Sequence, residues 1–69
     1  MRYDKRALRR IMVARGLDER TLCRKAKLAS RTIYYLVRGM TAPRADTLAK
    51  LAGALDVDAN AFFVRRDAA

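Results

Sequence analysis

Between Glu19 and Arg38 the apolar residues fall at two helical spacings on either side of a polar turn. Leu22 and Ala26 lie four apart, on one face of a first helix. Ile33 and Leu36 lie three apart, on one face of a second. Leu28 sits in the turn between them, and Cys23 is a small residue where a crossing helix can approach closely, so it is expected to be buried. The same reading extends along the chain. Asp4 is placed to cap a helix carrying Leu8, Ile11 and Met12 on one stripe, running to Arg15 and stopping at Gly16. Asp18 caps the helix of Leu22, with Glu19 in its first turn. The next helix starts near Ser30 and ends at Gly39. Pro43 disfavours helix at Ala42, so residues 40–43 read as a loop. Leu48, Leu51, Ala52 and Leu55 repeat at i, i+3, i+4 and i+7, which predicts a helix from about Arg44 to Leu55. Asp58 caps a last short helix with Phe62 and Phe63. Nothing alternates with period two, so strands are not expected. The pattern predicts an all-α, compact five-helix bundle. It forms a single domain over residues 1–69, with its core at about 4–63 and a frayed tail at 64–69.

Composition narrows what such a bundle can do. With 69 residues the core is thin and leaves little room for a substrate pocket. There is one cysteine and no histidine, so neither a disulfide framework nor a His/Cys metal site can form, and the commonest general base is absent. An enzyme is therefore not expected, nor a metal or other cofactor. No apolar run approaches the roughly 18 residues of a membrane span. The basic N-terminus has no apolar stretch behind it, so no signal peptide is read there. The single cysteine fits a reducing, cytoplasmic setting. The net charge is +9, and it is uneven. Up to Pro43 there are 12 Lys/Arg and 3 Asp/Glu; from Arg44 onward there are 4 of each. That imbalance is the footprint of a polyanion binder. Two short helices joined by a turn also make a unit whose second helix can enter the DNA major groove.

The stretch GLDERTLCRKAKLASRTIYYLVRG, followed by TAPRADTLAKLAGALDVDANAFF, resembles the lambda-repressor/Cro-like (XRE-type) helix-turn-helix domains. The resemblance covers roughly Leu8 to Phe63. It implies that helix 3 reads the major groove and that helix 2 lies across the phosphate backbone. By position it puts Ser30, Arg31, Tyr34 and Tyr35 at base edges, and Arg20, Lys27, Thr32, Arg38 and Thr41 near phosphates. Four departures stand out. Glu19 replaces the usual Gln, and a carboxylate repels a phosphate. Lys27 replaces the turn glycine, and Ala29 replaces the usual Ser cap. Met12 and Val37 replace an Arg–Glu ion pair. Replacing both partners avoids stranding a charge, so these two side chains are expected to pack together.

Arg31 is the sharpest base-reading candidate, because arginine bonds guanine O6 and N7 at once. Tyr34 and Tyr35 point about 100° apart on a helix, so at most one can fully face the groove. Phe63 and Val64 form a candidate dimer patch, which would suit a homodimer on two half-sites. The reading is a sequence-specific double-stranded DNA-binding transcriptional regulator, by default a repressor. Two alternatives remain open. One is an antitoxin or interaction module whose partner is a protein, held through the Phe62/Phe63 end. The other is a non-specific binder of nucleic acid or of an anionic membrane, through the amphipathic stretch KRALRRIMVAR.

Overall fold

Aspartates start two of the helices and the final turn, as their spacing predicts. A computed structural model describes residues 2–64. Helix α1 (Lys5–Ala14) begins where the Asp4 carboxylate accepts the Arg6 N–H at 3.0 Å. Helix α2 (Glu19–Ala26) begins on Asp18, which accepts the Thr21 N–H at 2.8 Å. Helix α3 (Ser30–Arg38) follows a three-residue turn, and α4 (Ala45–Leu55) follows the Pro43 loop. Asp58 accepts from the Asn60 N–H and opens one turn of 3-10 helix, Ala59–Phe62.

That turn corrects the expected count. Among the described residues four α-helices form, and the helix expected after Asp58 is a single 3-10 turn. The chain does not continue as helix because Phe63 is extended, at φ −123° and ψ 150°. There it pairs with the other end of the chain. Strand β1 (Arg2–Tyr3) and strand β2 (Phe63–Val64) run antiparallel, with Arg2 opposite Val64 and Tyr3 opposite Phe63. The Asp4 N–H donates to the Phe62 carbonyl at 2.8 Å and locks the junction. Val64, expected in a frayed tail, is thus part of a strand. Residues 65–69 lie outside the described residues.

The core draws one face from every helix. Leu8, Leu22, Ile33, Leu36, Leu51, Leu55 and Phe62 are fully buried. Burying each such side chain is worth about 1.5–3 kcal/mol. Met12 and Val37 are both buried in this cluster, where α1 packs on α3. Cys23 is half-buried rather than buried. Helix ends are tied across the domain. Arg15 Nε donates to the Leu55 carbonyl at 2.9 Å, and its Nη2 to the Asp56 carbonyl at 3.3 Å. A cation thereby satisfies orphan carbonyls at the C-terminus of α4. Among the described residues no helix is long and apolar enough to cross a membrane.

Candidate nucleic-acid interface

The turn between α2 and α3 sets the angle of everything exposed on α3. Lys27 ends α2 in the left-handed conformation, at φ 56° and ψ 47°. A non-glycine residue there costs of order 1 kcal/mol. The Leu28 N–H donates to the Cys23 carbonyl at 3.0 Å and closes the helix end. Leu28 packs against the core and anchors the turn. Ala29 then starts α3 without a side-chain bond to its first turn. What holds α3 is its inner face, where Ile33, Leu36 and Val37 are buried. From above, the Tyr3 hydroxyl donates to the Leu36 carbonyl at 2.6 Å. Burial, with the Asp4 carboxylate adding, pushes the Tyr3 phenol up to about 12, so it stays a donor. At the far end Gly39 takes φ 72°, and Lys5 Nζ donates to the Arg38 carbonyl at 3.4 Å. A side chain at Gly39 would collide with Lys5, whose Cδ would lie 2.6 Å from an added Cβ.

With that inner face buried, the helical period turns Arg31, Tyr34, Tyr35 and Arg38 outward. Tyr34 is 45% exposed and Tyr35 37%, so both rings share the outer face. They meet edge to face at 5.8 Å. The Arg38 guanidinium lies over the Tyr34 ring, 3.7 Å from its centre. Arg38 Nη1 also reaches Glu19 Oε1 at 3.4 Å and the Tyr34 carbonyl at 3.3 Å. The Glu19 carboxylate is therefore not left facing outward alone: a cation of α3 stands beside it. Both partners of that pair are about two-fifths exposed, so its net contribution to stability is small.

The four proposed base-reading residues come together. Ser30, Arg31, Tyr34 and Tyr35 border one shallow depression, with Glu19 at its rim. Arg31 and Tyr35 also border its neighbour, where Thr32, Thr41 and Arg44 lie. Arg31 and Tyr35 thus line both hollows. Arg20 is exposed beside Cys23, Arg24 and Ser30. Lys27 is exposed in the turn itself. Phe63 and Val64 lie elsewhere, in β2. Phe63 is half-buried with its ring edge-on to Tyr3 at 6.2 Å, and Val64 is exposed. Two features were not anticipated. Arg44 joins the second depression, and its only signal was a cation just after Pro43. The Glu19–Arg38 contact has no local signal, because 19 residues separate the two. Cys23 has a thiol pushed up by burial and then by Glu19, which makes it a poor nucleophile.

A sequence profile described as helix-turn-helix matches residues 8–62, most of the chain. The chain belongs to the lambda-repressor/Cro-like helix-turn-helix family. The family is one of DNA-binding regulators, and it accounts for the pairing of α2 with α3. No curated protein and no solved structure matches the chain significantly.

Proposed function

We propose that this chain is a sequence-specific regulator of transcription that reads double-stranded DNA in the major groove with α3. The observation that carries the reading is the outer face of α3, where Arg31, Tyr34 and Tyr35 stand exposed together on a helix anchored from behind. Arg31 supplies the bidentate donor that recognises guanine, and Tyr34 supplies an apolar ring for a thymine methyl. Ser30 and Tyr35 complete the reading face. Arg20, Lys27, Thr32, Arg38 and Thr41 position the domain on phosphates without reading sequence. Arg38 meets a phosphate in competition with Glu19, whose carboxylate lies 3.4 Å from its Nη1. Repression is the direction proposed, because a domain seated on a promoter blocks it by occupying it. A second copy on a half-site one helical turn away, roughly 34 Å, would extend the sequence read. The setting proposed is the cytoplasm.

Titration onto random duplexes and onto duplexes selected for binding, at several salt concentrations, tests the reading. A specific regulator prefers the selected site by about 10³ or more. Equal affinity for every sequence, changing only with salt, would reduce it to a non-specific binder.

A further inference from the structure

Half of the basic residues in the charged part of the chain are not on the motif. Residues 2–15 hold six Lys/Arg against one carboxylate, Asp4. Two of the six are engaged on backbone carbonyls: Lys5 at the end of α3 and Arg15 at the end of α4. Arg6, Arg9 and Arg10 are exposed on α1. Around the helix they fall within about 100° of one another, opposite the buried pair Leu8 and Met12. The inner face of α1 packs on α3, whose own inner face is Ile33, Leu36 and Val37. The three arginines therefore stand on the side of α1 turned from its packing against α3. Charge placed on the outer face of α1 is badly sited to serve a duplex seated on α3.

We propose that the outer face of α1 is a second nucleic-acid backbone site, so that one chain holds two duplexes. The composition of the face selects this partner. The interior of a protein interface is poor in charge and rich in large apolar side chains. Here three arginines stand within two turns with Val13 exposed among them, and Arg6 and Arg10 share a hollow with Arg2, Lys5, Tyr3 and Val64, so cations outnumber large apolar side chains. Arginine forks match phosphate oxygens in pairs, and a continuous phosphate chain meets all three whatever its sequence. Among the described residues the carboxylate beside them is Asp4, which caps the Arg6 N–H and lies 3.9 Å from Arg10. Arg10 remains 70% exposed beside it. The second site reads no bases. It rests on the DNA-binding reading for the first duplex alone.

The test is bridging by the full chain. A selected duplex is fixed to beads, protein is added, and capture of a second, fluorescent duplex of random sequence is measured. The comparison is the triple variant Arg6→Gln, Arg9→Gln, Arg10→Gln, whose changes are exposed and helix-compatible; its fold is checked by thermal unfolding. The wild type is expected to capture the second duplex, with capture falling steeply in salt. The variant is expected to hold the fixed duplex within about twofold while capture falls at least about tenfold, as for a lost three-phosphate contact. Three results overturn the proposal. The first is a wild type that binds the fixed duplex and captures nothing. The second is a variant that captures as well as the wild type, as a dimer presenting two α3 faces would. The third is a variant that loses the fixed duplex in proportion, which puts α1 in the first footprint. Binding of no duplex at all would instead remove the DNA reading itself, and this proposal with it.

Discussion

Helix α2 starts on a carboxylate that bonds its own first turn, whereas α3 starts at an alanine with no such bond to offer. The residue before each cap is alike, since Leu17 and Leu28 are both partly buried against the core, but Leu28 follows a left-handed lysine. The helix proposed to read DNA is thus the one with the poorer local start. It is held by what it packs against: Ile33, Leu36 and Val37 below, and the Tyr3 hydroxyl on a backbone carbonyl. The difference teaches that the outer face of α3 is aimed by the core, and that the turn can be improved without touching that face.

The largest effect follows from removing that support. Ile33→Ala should lower stability by about 2–5 kcal/mol in urea unfolding, because the site is fully buried. A loss under 1 kcal/mol would mean that the turn, and not the core, holds α3. Next, Lys27→Gly should raise stability by about 1 kcal/mol and the melting midpoint by roughly 4–8 °C, since glycine takes φ 56° freely. A fall in the midpoint would mean that the lysine charge outweighs backbone strain. Smaller again, Ala29→Ser should add about 0.5–1 kcal/mol by giving α3 the cap it lacks. The same exchange made in the background of Lys27→Gly tests whether the two repairs are independent.

The smallest effect is at the start of α2 and is one of pH. The Thr21 N–H, bonded to Asp18, holds that carboxyl below its ordinary value of 3.8. The folded chain then binds fewer protons than the unfolded chain in acid, so this contribution is complete above the ordinary value and fades as pH falls below it. Asn caps a helix nearly as well but does not titrate. Asp18→Asn should therefore flatten the acid limb of the stability profile, read from melting midpoints between about pH 5 and 2, with little change at pH 7. An unchanged acid limb would remove Asp18 from the account.

Most of the helical frame was legible because its signals are local. Asp4, Asp18 and Asp58 mark starts, Gly16 and Gly39 mark stops, and the apolar faces are spaced within two turns. The left-handed lysine was legible too, by comparison with a family that prefers glycine there. What escaped depends on residues far apart in the chain. Two-residue strands carry no periodicity, and Tyr3 meets Phe63 only after the helices have brought the two ends together. The same partnership replaced the fifth helix with one 3-10 turn. At the candidate site, the clustering of Ser30, Arg31, Tyr34 and Tyr35 follows from helical period alone. The Glu19–Arg38 contact does not, since it needs the crossing angle of α2 and α3. Glu19 read alone is a charge that repels DNA; beside Arg38 it is half of a neutral pair.

If α3 reads bases through its outer face, Arg31 is the residue on which that reading turns. The direct measurement is the ratio of Kd values on random and selected duplexes, for the wild type and for Arg31→Ala at one salt concentration. Arg31→Ala should lose about 1–3 kcal/mol of discrimination and far less affinity for random DNA. Equal weakening on both duplexes would make Arg31 a phosphate contact and contradict the claim.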